Sequence, residues 1–146
     1  MKPGQFLQKL DTAQVVRAIQ EAERKTSGEI RVFVTNRNLG DDKAVDRAAA
    51  RFEKLGMTST RDRNAVLLYF APRAQQFAVV GDTGIHQKCG DAFWRDVASG
   101  IREKLGEGRF TEAVVEAIAR AGEVLALHFP RRPDDLNELP NEVERE

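Results

Sequence analysis

NAVLLYFAPRAQQFAVVG, residues 64–81, decides the fold. Residues 64–71 are apolar on both faces, the pattern of a central strand covered by helices on either side. Pro72-Arg73-Ala74 reads as a short turn, and residues 75–81 run back as an antiparallel hairpin partner. Upstream, EIRVFVT (29–35) alternates Ile30, Val32 and Val34 with Arg31, Phe33 and Thr35, which is the period of a strand. A helix is expected between these strands, from Asp41 or Asp42, with Val45, Ala48, Ala49, Phe52 and Leu55 as its apolar stripe and Gly56 as its stop. A strand–helix–strand unit crosses over right-handed and makes its two strands parallel, so the hairpin turns the sheet into a mixed one.

Further outward, Asp11 stands as an N-cap with Gln14 at the capping-box position, Leu10 and Val15 as a hydrophobic staple, and Gly28 as the stop. Beyond the hairpin, one helix carries Phe93, Trp94, Val97, Ile101 and Leu105. A last helix starts near Thr111 and carries Val114, Ala117, Ile118, Ala121, Leu125 and His128. The order is helix-strand-helix-strand-strand-helix-helix, an α/β fold. Val66, Leu68, Phe70, Val79, Phe52 and Trp94 are the expected core. Residues 1–129 are read as one domain. From Pro130 the chain becomes acidic and proline-containing, so 130–146 is read as a tail whose loss costs little stability.

Composition narrows the function classes. The 146 residues carry 23 lysines and arginines against 23 aspartates and glutamates, a formal charge of zero, and no basic stripe that nucleic acid would require. Cys89 is the sole cysteine, so neither an internal disulfide nor a CxxC motif exists. MKPGQFLQKLD has no apolar run of signal-peptide length, and no segment approaches the ~20 apolar residues of a spanning helix. The expected setting is therefore cytoplasmic, with no membrane insertion.

The topology gathers polar residues at one edge of the sheet. Residues 75–81 run opposite to the two parallel strands, so Gly81-Asp82 comes beside their starts. Ser27, Glu29, Arg61, Asp62, Arg63, Asn64, Asp82, Thr83, His86 and Asp91 converge there. Asp82-Thr83-Gly84 matches the triplet of aspartic proteases, but that chemistry needs paired carboxylates in a β-rich chain. Zinc generally takes four closely spaced ligands, and only His86 and Cys89 are of its preferred kinds. A calcium or magnesium site built from Asp62, Asp82 and Asp91 is chemically sounder, because these ions take oxygen ligands. The alternative is structural: Asp91 capping the following helix, with Gly81 and Gly84 permitting the turn before it.

TSGEIRVFV (26–34), FEKLGM (52–57), RDRNAVLLYF (61–70), FAVVGDTGI (77–85) and GEGRFTEAVVEAI (106–118) occur in this order, and DDLNELP (134–140) follows. With these segments the chain resembles the TPM domain family, named from a thylakoid-lumen protein, a photosystem repair protein and an acetylcholine-receptor auxiliary subunit. The likeness is to its short bacterial members. The resemblance implies an α/β/α sandwich around a small mixed sheet with a fourth short strand, divalent-cation binding at strand-edge loops in some members, and acid phosphatase activity in a plant member. In the commoner family pattern a carboxylate falls at the positions of Arg63, His86 and Asp91. Asn64 and Asp91 thus match, whereas Arg63 and His86 replace acids. The implied ligand set is Asp62, Asn64, Asp82, His86 and Asp91, depleted by those replacements. Two functions follow as expectations. One is a non-catalytic interaction or accessory module that docks a protein partner and keeps at most a vestigial cation site. The other is a metal-dependent phosphomonoesterase, with Arg61 or Arg63 on the phosphate.

Overall fold

The computed structural model describes residues 10–131 and 143–145. Helix α1 spans Thr12–Glu23, β1 Glu29–Val34, α2 Ala44–Lys54, β2 Ala65–Ala71, β3 Gln76–Gly81, α3 Thr83–Gly106, α4 Phe110–His128 and β4 Val143–Arg145. The sheet runs β3-β2-β1-β4. β1 is parallel to β2 and to β4, while β2 and β3 form the antiparallel hairpin. The fold is the expected mixed α/β arrangement in the expected order. The fourth strand comes from residues 143–145, inside the segment read as a tail.

Period-two alternation divides the sheet's side chains between two cores. Ile30, Val32, Val34, Val66, Leu68 and Phe70 face a layer made by α1, α3 and α4. Phe33, Leu67 and Tyr69 face α2, with Met57 and Leu39 closing that side. Every residue of β1 and β2 is buried, as the apolar run over 64–71 requires. Phe52, Val66, Leu68 and Phe70 are core residues as expected. Val79 and Trp94 are only half-buried, because β3 is an edge strand lacking a neighbour on its outer side.

Several local expectations need adjustment. Asp11 does cap α1, its Oδ1 accepting from the Gln14 N–H at 3.0 Å. Its own N–H donates to Thr111 Oγ1 at 3.0 Å, so the closing bond is to the start of α4. Helix α1 ends at Glu23, well before Gly28. Gly28 serves close packing instead, since a Cβ there would lie 3.0 Å from Leu125. Helix α2 begins at Ala44, whose N–H donates to Gln76 Oε1 of β3 at 2.8 Å. That pin rotates the buried face to Ala44, Ala48 and Phe52 and leaves Val45 54% exposed. Gly56 does stop α2, in the left-handed conformation at φ 72°.

Candidate functional site

Gly81 pairs with Val66, and the Asp82 N–H donates to the Ala65 carbonyl at 3.0 Å. The end of β3 is thereby fixed beside the start of β2, the edge at which the sequence gathers its polar residues. Helix α3 begins there. Asp82 is its N-cap: the backbone is extended (φ −73°, ψ 170°) and Oδ1 accepts from the Thr83 N–H at 2.7 Å. The backbone at Gly90 (φ 71°, ψ −175°) is non-helical, so α3 is two helical segments that meet in a kink there. Asp91 is exposed and opens the segment after the kink, the expected helix that carries Phe93, Trp94, Val97, Ile101 and Leu105.

Arg63 dominates the edge. It is one of two non-glycine residues with positive φ among those described, at 52°. Its guanidinium forks onto Asp82, with Nε to Oδ2 at 2.6 Å and Nη2 to Oδ1 at 2.8 Å. The Asp82 side chain is 4% exposed and that of Arg63 47%. Burial works to raise the Asp82 pKa, but the Arg63 bonds, the Thr83 N–H and the charges of Arg63 and His86 outweigh it. The carboxyl is held below its ordinary value. The Arg63 pKa is raised in turn by its hydrogen bonds to Asp82. The Arg63 carbonyl also accepts the Gly84 N–H at 2.9 Å, so side chain and backbone of one residue both hold the helix start.

A second cluster lies alongside. Ser27 Oγ accepts from Asn64 Nδ2 at 3.1 Å and reaches Asp62 Oδ2 at 3.5 Å. Asn64 is 1% exposed, and its Oδ1 has no hydrogen-bond partner among the described residues. Ser27 and Asp62 line a cleft of about 340 Å³ together with Gly84, Gln87, Lys88, His128, Phe129 and Pro130. Lys88 lies over the Phe129 ring, 4.9 Å from its centroid. His86 turns elsewhere, its ring 5.4 Å from that of Trp94. Cys89 is a free, half-buried thiol whose pKa burial raises against the pull of Lys88, the environment of an unreactive cysteine.

A family model for the TPM domain matches residues 1–124. The chain belongs to the TPM domain family. The TPM fold is found again in the NMR structure of the BA42 protein from the psychrophilic bacterium Bizionia argentinensis. That protein is 35% identical to this chain, with 94% of this chain and 96% of that one covered at a TM-score of 0.85. The N-terminal domain of a P. gingivalis protein shares the fold at 20% identity and TM-score 0.67, covering 84% of this chain and 82% of that one. No curated protein matches.

For the divalent cation that the TPM resemblance implies, the donors at this edge do not fit. Both Asp82 oxygens are engaged by Arg63 and the Thr83 N–H. Asp91 is exposed and lies beyond the non-helical Gly90, in the second segment of α3. Asp62 and Asn64 come together through Ser27. Among the described residues no group of three or more His, Cys, Asp and Glu could hold a metal ion. Sequence reasoning missed the Arg63–Asp82 pair and the contributions of Lys88, His128 and Phe129 to the cleft. The pair depends on a left-handed backbone at Arg63, and the cleft on the close of α4 against α3, neither of which local sequence encodes.

Proposed function

We propose that this TPM domain is a non-catalytic interaction module of the cytoplasm, docking a protein partner at the edge where Ser27, Asp62, Lys88 and Phe129 meet. The observation that carries this reading is the saturation of the start of α3. A phosphate held at a helix N-terminus needs free N–H groups. Here the Thr83 N–H goes to Asp82 Oδ1, the Gly84 N–H to the Arg63 carbonyl, and those of Ile85 and His86 to the Asp82 carbonyl. Asp82, a buried carboxylate of the edge, is neutralised by Arg63 and is poorly placed as nucleophile or metal ligand. No helix among the described residues is long and apolar enough to cross a membrane. The balanced charge gives no field for nucleic acid.

The second reading is a metal-dependent phosphomonoesterase, favoured by one feature: Asp62, Lys88 and His128 line a single cleft. The discriminating assay is p-nitrophenyl phosphate hydrolysis at acid and neutral pH, with and without calcium and magnesium, using Asp62→Asn as control. The module reading expects the same background rate in both proteins. Turnover that persists through purification and disappears in D62N would replace it with the enzyme.

A further inference from the structure

We propose that Arg63 is a tethered cation that takes the place of a diffusible divalent ion at this edge, closing the start of α3 without calcium or magnesium. The proposal deepens the module reading, on which it rests for the identity of the edge, by stating what the edge does not depend on. A carboxylate as buried as that of Asp82 requires a compensating charge close by. Here the chain provides it: Arg63 is next to Asn64 and three residues before Val66, the β-partner of Gly81. The fork places one guanidinium nitrogen on each carboxylate oxygen, the strongest geometry available to such a pair.

The backbone is arranged to this end. A left-handed φ is uncommon outside glycine, asparagine and aspartate, and it is found here at the residue that makes the fork. That conformation also presents the Arg63 carbonyl to the Gly84 N–H. An incoming divalent ion would have to displace a hydrogen-bonded guanidinium from both Asp82 oxygens and approach against its positive charge. Without the guanidinium, Asp82 would be a buried anion whose N–H is bonded to the carbonyl of Ala65. Ala65 is the neighbour of Asn64, whose Oδ1 has no hydrogen-bond partner among the described residues, and hard oxygen donors of that kind attract calcium.

The test uses the full chain, Arg63→Gln and Arg63→Lys, each followed by calorimetric titration with calcium chloride and by thermal unfolding with and without calcium. The unmodified chain should give no binding heat and an unchanged Tm. R63Q, which removes both the charge and the fork, should unfold several degrees lower, and calcium should recover part of that loss. R63K keeps the charge without the fork, so it should fall between them and remain insensitive to calcium; it also preserves the test if R63Q does not fold. Saturable calcium binding by the unmodified chain, or an R63K that responds to calcium as strongly as R63Q, would overturn the proposal. Calcium binding by the unmodified chain would leave the module reading standing, while phosphatase turnover without calcium binding would sink that reading and leave Arg63 in its role.

Discussion

Gly84 stands where α3 leaves the edge, and a Cβ built there would lie 2.4 Å from the Asp62 carbonyl oxygen and 2.7 Å from that of Arg63. Both obstructing atoms belong to backbone, so a rotamer change cannot relieve the contact. Gly84→Ala is therefore expected to destabilise by about 1–3 kcal/mol, as overpacking does, read as a lower midpoint in urea at unchanged slope. A midpoint equal to that of the parent would mean that residues 62–63 yield freely. At this scale the sequence is half legible. Asp82 before a helix is a recognisable cap, and Asn64 and Asp62 are in the company of Ser27 as their positions suggest. The partner of Asp82 was hidden, because a chain of letters gives no sign that an arginine will adopt φ 52°.

Among the elements, the junction of α1 and β1 carries a strongly shifted carboxyl. Glu23, at the end of α1, reaches the edge of β1, where its Oε2 accepts the Ile30 N–H at 2.8 Å. Its pKa is pushed up to about 9 by burial, then by the charge of Glu29 and a hydrogen bond with it, against the opposing pull of the Ile30 N–H and Arg131. The folded chain thus holds a proton that the unfolded chain releases at its ordinary value of 4.5. Stability from this group is fully present below that value and declines as pH rises through the window up to about 9. Glu23→Gln should flatten the decline and raise Tm at about pH 8, measured by calorimetry across pH. A steeper decline in E23Q would show that the ionised form is the one the fold prefers. Helix existence was plain from spacing, but helix limits were not. A helical segment does follow Asp91, after the non-helical Gly90, but an unexpected one, from Thr83 and capped by Asp82, precedes it. In the apolar stripe of α2, Ala48, Phe52 and Leu55 meet the core as expected, whereas Val45 and Ala49 do not, because the bond to Gln76 of β3 turns Ala44 inward.

In the whole molecule, the hairpin and the parallel β1–β2 pair could be derived from apolar runs, whereas β4 could not. Val143-Glu144-Arg145 has no run and no alternation, and becomes a strand only because β1 offers an open edge opposite Val32, Phe33 and Val34. Removing residues 133–146 should therefore do more than trim a solvated tail, since it strips the outer side of a buried strand. The expected outcome is a truncated protein with lower Tm and concentration-dependent association on size-exclusion chromatography. A monomer as stable as the parent would show that α1 protects the edge unaided. The same topology has a consequence in time. Translation is vectorial, and β1 leaves the ribosome on the order of a hundred residues before β4, about 5–20 s at ordinary elongation rates. Throughout that interval the nascent sheet can be covered on its β2 side but not on the other. A half-made chain therefore presents neighbouring nascent chains with a bare strand that the finished protein never shows.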